Sequence, residues 1–287
     1  MGVEVMPPAT EHPRCQKSCL ALTAAALLSL ALLWTCSGGG GVHVPRIVVD
    51  DYLARVRASG TQPSMPALIN ASMLRNAGGA SNNGYLAVVD NAAPHLHVEG
   101  SCMELHKTTV TAGASGCRYA TNGGPFQSYF TAGCIGPTIS HGRLLSADWN
   151  TSFPSFGLTA SGDWLVGRIS QETAARYGVV EAVTGLGWLV RGGKNVGPES
   201  SLKAERTAIG VDDRGRLLLL QVDGCERCPF SGGPSGLTLT ELARLFIRLG
   251  AWHAINLDGG GSSATFSRGR LLNRPDCLEL GITCERA

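Results

Sequence analysis

Asp258 is the one carboxylate in the run Ile255-Asn256-Leu257-Asp258-Gly259-Gly260-Gly261-Ser262-Ser263, where it separates an apolar segment from three consecutive glycines. Glycines let backbone amides turn toward one point and let a ligand approach without meeting a side chain. Gly259, Gly260 and Gly261 could therefore form an anion-binding nest, with Ser262 and Ser263 adding hydroxyl donors. An Asp-Gly pair after a strand is equally a hairpin turn, and the strand-like run from Ala264 to Leu272 suits that reading as well as it suits a site.

Other polar residues fall where strand edges are expected: Asn122 with Gly123 and Gly124, Arg206 with Thr207, Asp223 with Gly224, and Asn256. Two aspartates are the minimum set for acid, base or nucleophilic work at an anomeric carbon, and an arginine is a fixed-charge fork suited to phosphate. Each is also an ordinary turn residue or ion-pair partner, and Arg206 could pair with Asp223. Serine hydrolysis of the nucleophile-elbow type is excluded, because its histidine must follow the serine and the last histidine is His253. No Gly-Lys-Ser/Thr ends the glycine run, which removes a Walker phosphate loop.

The elements that would hold these residues are readable. Thr238 and Glu241 stand in capping-box spacing, Leu239, Leu242, Leu245, Phe246 and Leu249 recur on one helical face, and Gly250 supplies a stop. A strand over 252–257 follows and delivers Asp258 at its carboxyl end. Residues 156–169 predict a hairpin turning at Ser161-Gly162-Asp163, and residues 207–224 predict another turning at 212–215, whose second strand ends at Asp223. Strand, helix and apolar strand in succession predict an α+β domain: a mixed, curved β-sheet core with packed helices. In such sheets ligands collect at the carboxyl ends of strands, where both aspartates are expected.

The rest of the chain sets the context. Residues 19–34 are almost wholly apolar after Arg14 and Lys17, the pattern of a secretory signal peptide or signal anchor over 1–36. A Gly-, Pro-, Ser- and Asn-rich stretch, 37–84, reads as a stalk or lead-in, and 85–287 as the single principal domain. Seven cysteines follow the signal, which in an oxidising lumen predicts disulfides with one thiol left over. Cys225 and Cys228 have the spacing of half a zinc site or a redox pair, but no second such pair follows, and the lumen favours a disulfide. Asn70 and Asn150 head glycosylation sequons. A formal net charge of +2 with scattered Lys and Arg gives no nucleic-acid or anionic-membrane surface.

Taken together, residues 121–126 (TNGGPF), 156–167 (FGLTASGDWLVG), 187–193 (GWLVRGG), 206–224 (RTAIGVDDRGRLLLLQVDG) and 255–266 (INLDGGGSSATF) resemble, in this order, the phosphodiester glycosidase family. The likeness runs from about Cys102 to Cys284. It implies hydrolysis of a sugar-1-phosphodiester at the glycosidic C1–O bond, removing α-linked N-acetylglucosamine to expose mannose 6-phosphate on glycoproteins of the Golgi or secretory lumen. It also implies neither cofactor nor metal.

Carried over by position, the family's motifs fall on Asn122, Gly123, Gly124, Arg206, Thr207, Asp223 and the run from Asn256 to Ser262. In the mechanism this implies, Asp258 or Asp223 is nucleophile or base, Arg206 and the Gly259–Gly261 amides hold phosphate, and Asn122 and Asn256 orient sugar hydroxyls. The same resemblance pairs Cys102 with Cys134 and Cys277 with Cys284. Pro125 departs from the family, which has an aromatic residue after Asn-Gly-Gly, and this puts a sugar-stacking surface in question. A carbohydrate-binding protein that keeps the scaffold without turnover is the alternative from another class.

Overall fold

The apolar runs at 207–211 and 217–222 carry no polar alternation because the strands they form are covered on both faces. The computed structural model describes residues 50–77, 82–228, 234–277 and 282–286; the expected signal segment, 1–36, lies outside them.

The chain begins with β1 (Leu53–Arg57), β2 (Leu68–Leu74) and β3 (Gly84–Asp90), then α1 (Thr108–Ala114). Short strands follow: β4 (Tyr119–Thr121), β5 (Phe126–Ser128), β6 (Ala132–Cys134), β7 (Thr138–Ser140) and β8 (Arg143–Ser146). Next come β9 (Ser155–Thr159), β10 (Asp163–Gly167), α2 (Gln171–Tyr177), β11 (Val179–Thr184), β12 (Gly187–Arg191) and β13 (Lys194–Asn195). The last part holds β14 (Arg206–Asp212), β15 (Leu217–Val222), α3 (Leu239–Arg248), β16 (Ala251–Asn256), β17 (Thr265–Ser267), β18 (Arg270–Leu271), β19 (Asp276–Cys277) and β20 (Ile282–Thr283).

Two sheets dominate, with strand orders β1-β10-β9-β11-β7-β8 and β13-β12-β16-β14-β15-β3-β2. Their facing surfaces share one core, in which Phe156, Leu158, Trp164 and Val166 of the first sheet meet Val89, Ile209, Val211, Leu217 and Ile255 of the second. On the outer face of the second sheet, Leu242, Leu245 and Phe246 of α3 pack on Leu189, Ala208, Leu218, Leu220 and Ala254. Burial of each leucine or phenylalanine here contributes about 1.5–3 kcal/mol relative to exposure. Outside the first sheet, Ala174 and Tyr177 of α2 lie against Ile139, Leu165, Val179 and Ala182. The layers therefore run helix, sheet, sheet, helix.

The sequence reading is corrected at two points. The sheet is not mixed: every described strand pairing is antiparallel, and β strands far outweigh the three α-helices. The strand-helix-strand unit misled because β14 lies between β15 and β16, so these two run the same way without touching. The stretch 37–84 is not only a lead-in. It supplies β1, paired with β10, and β2, paired with β3, each at the edge of a main sheet. Edge strands can be short and polar, which is why composition hid them.

Helix α3 keeps its expected boundaries. The Thr238 side chain accepts from Glu241 N, and Glu241 returns a bond to Thr238 N, completing the capping box.

Candidate active site

Strands β15 and β16 flank β14 and run against it, so both their carboxyl ends arrive beside the start of β14. Arg206 pairs with Val222 on one side, and Ala208 pairs with Asn256 on the other. Asp223 follows the first end and Asp258 the second. Their surroundings differ.

Asp258 borders a cavity of about 630 Å³ shared with Asn122, Gly123, Gly124, Ser262 and Arg286. The cavity floor is apolar, built from Phe156, Ile209, Leu217, Leu219 and Leu257, and a volume of this order suits a small-molecule ligand. The Asp258 loop is fastened by its backbone: its N–H donates to Gly123 O (3.2 Å), and its carbonyl accepts from Asn122 Nδ2 (2.9 Å). Asn122 Oδ1 in turn accepts from Thr207 Oγ1 (2.7 Å) and Ala264 N (3.1 Å). One side-chain amide thus joins β14, the Asp258 loop and the approach to β17. Burial raises the Asp258 carboxyl pKa above the ordinary carboxylate value, while bonds from Ser262 and the Gly259 N–H and the charge of Arg286 pull it down.

The glycines after Asp258 form a tight 3-10 turn over Gly260–Ser262. Their amides are largely used within the fold: Gly259 N donates to Asp258 Oδ1 (2.9 Å) and Gly260 N to Glu205 O (3.0 Å). A free anion nest at Gly259–Gly261 is therefore not what the turn provides. Gly261 serves close packing, since a Cβ there would stand 2.1 Å from an Arg286 guanidinium nitrogen and 2.3 Å from Asp276 O.

Arg286 is the cation the sequence reading missed. It borders the cavity beside Asp258 and Ser262, lies over the Tyr129 ring (5.5 Å to the centroid), and keeps its buried Nε without a hydrogen-bond partner. The segment carrying it is held by Cys284 N donating to Pro275 O (3.0 Å). Glu285 adds two more bonds, accepting from Thr109 N (2.8 Å) and Thr109 Oγ1 (2.5 Å). Nothing in the local sequence marks Arg286; only the fold brings it near Asp258.

Several expected site residues lie behind the cavity. Side chains alternate along β14 and β16, so Arg206 and Asn256 share the α3-facing side with Ala208 and Ala254, whereas Ile209 and Ile255 face the inter-sheet core. Arg206 is buried, and its guanidinium donates to Leu237 O (3.0 Å) and Leu202 O (2.9 Å). Burial lowers its pKa against the opposing charges of Glu226 and Glu205. It braces the chain beneath the glycine turn and does not border the cavity. Thr207 is fully buried and supports Asn122.

Asp223 accepts from Gln221 Nε2 (3.2 Å) and Arg274 N (3.3 Å) and does not border the cavity. Burial raises its pKa, opposed by Arg274, Gln221 and Asn273. Beside it, the buried Glu205 carboxyl is pushed up to about 7, by burial first and by the charges of Asp276 and Asp223 next.

Cys102 and Cys134 are bridged, and so are Cys225 and Cys228. Cys117 is the free thiol among the described residues. Cys284 is disulfide-bonded, while the side chain of Cys277, its expected partner, lies outside the described set. The sequon residues Asn70 and Asn150 are both exposed. Among the described residues, no helix is long and apolar enough to cross a membrane.

A family model described as phosphodiester glycosidase matches residues 115–287. Over 211 residues the chain is 32% identical to the N-acetylglucosamine-1-phosphodiester alpha-N-acetylglucosaminidase of Bos taurus and 30% identical to that of Homo sapiens. Each alignment covers 65% of this chain, and 39% and 40% of those relatives, so the chain spans about two-fifths of their length. In three dimensions it resembles the catalytic domain of the zebrafish enzyme of the same name, described as auto-inhibited by its pro-peptide. The TM-score is 0.66 at 25% identity, covering 82% of this chain and 85% of that one. A hypothetical protein from Synechocystis shares the fold at a TM-score of 0.50 and 16% identity, over 76% of this chain and 61% of that one.

Proposed function

The chain belongs to the phosphodiester glycosidase family, and from that premise we propose that it hydrolyses a sugar-1-phosphodiester at the C1–O bond. The group released is α-linked N-acetylglucosamine, and the product left on a glycoprotein glycan is a phosphate monoester such as mannose 6-phosphate. The observation that carries this reading is the shared border of the Asp258 carboxylate and the Arg286 guanidinium on one cavity of about 630 Å³. A sugar-phosphate needs these two groups: an anionic oxygen near C1 and a fixed cation near the phosphate.

The leaving group explains why one carboxylate near C1 can suffice. A phosphate monoester departs far more readily than a sugar alkoxide, so the strong acid of ordinary glycosidases is less necessary. Asp258, its basicity raised by burial, acts on C1 directly or through water, with Ser262 holding its orientation. Arg286 offers phosphate a fixed guanidinium charge at the cavity border. Asn122 and Thr207 hold the Asp258 loop in place and leave sugar contacts to other groups on the cavity wall. The Cys102–Cys134 bridge supports work in the secretory lumen.

Incubating the purified chain with an α-N-acetylglucosamine-1-phosphodiester and scoring free sugar tests the activity. Hydrolysis in oxygen-18 water tests the bond: label in the sugar supports C1–O cleavage, and label in the phosphate sinks it. Saturable binding of the diester without product would instead support a carbohydrate-binding protein on this scaffold.

A further inference from the structure

Away from Asp258, three segments bring His97, His141 and Glu181 together at the cavity wall formed by His97, Glu99 and Glu181. His97 follows the 3-10 turn at Ala93–His95, His141 sits in the turn between β7 and β8, and Glu181 lies on β11. Glu181 is buried and rigidly placed: Oε2 accepts from Val98 N (2.9 Å) and Oε1 from His141 N (3.0 Å). Both ring Nδ1 atoms aim at the same Oε1, at 3.3 Å from His97 and 3.7 Å from His141, and the three atoms lie within 4.8 Å of one another.

Two features distinguish this cluster from an ordinary ion pair. First, His141 Nε2 bonds Glu99 Oε1 at 2.9 Å. In the neutral ring that bond keeps the proton on Nε2 and turns the Nδ1 lone pair toward Glu181 Oε1, an orientation that admits a cation between them. A carboxylate behind a ligating histidine is the usual orienting partner of a metal-bound imidazole. Second, the spacings fit. Ligands about 2.0–2.1 Å from a tetrahedral zinc ion stand roughly 3.3–3.4 Å apart, close to the two nitrogen–oxygen separations. The rings stack at 4.5 Å with 28° between their planes, which keeps both Nδ1 atoms beside the one carboxylate oxygen.

We propose that His97 Nδ1, His141 Nδ1 and Glu181 Oε1 bind one Zn²⁺, with Glu99 as the positioning residue behind His141 and a fourth position left to water. Two imidazoles and one carboxylate select zinc over calcium or magnesium, which take oxygen ligands. The ion ties the 97–99 segment to the β7–β8 turn and to β11, and so fixes the cavity wall bordered by His97, Glu99 and Glu181. The ligands are widely separated in sequence, which is why no metal-binding spacing announced them.

The test is calorimetric titration of the chelator-stripped full chain with zinc sulfate at neutral pH, read beside cobalt spectra. The expected result is one equivalent bound with micromolar or tighter affinity, no heat from calcium, and visible cobalt bands of a four- or five-coordinate site. His97→Ala and His141→Ala alter exposed side chains, so circular dichroism should stay unchanged while zinc affinity and the cobalt bands are lost. Glu99→Gln should weaken affinity about 10–100-fold. Absence of saturable zinc binding, or binding that survives in the His97→Ala/His141→Ala double variant, overturns the proposal.

Discussion

The carboxyl ends of β15 and β16 look alike in sequence, each an apolar strand running into Asp-Gly, and they approach the same end of β14 from opposite sides. One borders the cavity and the other is packed into the fold. At β16, Asp258 opens on a cavity that Arg286 also borders, and Ser262 is bonded to it. At β15, Asp223 is held by Gln221 and by the Arg274 amide, and it shares its field with Glu205 and Asp276. The difference does not lie in the aspartates. It lies in what the fold packs over each strand end: a void bounded by a distant arginine at one, a filled cluster of carboxyls at the other.

Asp258→Asn keeps the shape of the strand end and removes its base. Turnover on an N-acetylglucosamine-1-phosphodiester should fall by about 10³–10⁴-fold with melting temperature nearly unchanged. Activity within tenfold of the parent would mean the two strand ends have been assigned the wrong way round.

Arg286→Met should reduce kcat/KM by roughly 10²–10³-fold, as loss of one charge-stabilising group does. It should also shift the acid limb of the pH profile. Arg286 holds the Asp258 pKa down, so without it the carboxylate protonates at higher pH and activity is lost earlier on acidification. A limb that does not move would separate Arg286 from Asp258.

Glu205→Gln probes the packed strand end. The native carboxyl titrates near 7 in the fold and near its ordinary value, 4.5, when unfolded. Below both values Glu205 is neutral in either state and costs nothing. As pH rises from 4.5 to 7 the unfolded chain ionises first and native stability drains away, reaching a constant penalty on the order of 3 kcal/mol above 7. The variant should therefore melt higher than the parent at pH 8 and at the same temperature at pH 4, by scanning calorimetry. A pH-independent difference would remove the buried-acid account.

Asp223→Asn should have the smallest effect on chemistry, less than about fivefold in kcat, because Asp223 does not border the cavity. A loss matching that of Asp258→Asn would move Asp223 into the reaction.

The same contrast marks how far the sequence could be read. Local signals were legible: Thr238 and Glu241 fixed the start of α3, Ser161-Gly162-Asp163 placed the β9–β10 hairpin, and Asp258 fell just beyond a strand as expected. Facing was harder. The apolar runs through β14 and β15 showed burial without showing which face met which layer, so Arg206 was expected at phosphate although strand alternation turns it toward α3. Positions joined only by the fold stayed hidden. Arg286 belongs to no motif, and β1 and β2 are edge strands in a stretch whose composition resembles a linker.

The fastening of the 284–286 segment through Pro275 and Thr109 also sets an order of assembly. During folding, β14, β15 and β16 can pair and the two sheets can close over their shared core before the 284–286 segment docks. Until that residue arrives the cavity has its carboxylate but not its cation. Under the proposed mechanism, a chain folded in outline but without this segment in place would hold Asp258 at the cavity and lack the cation for phosphate.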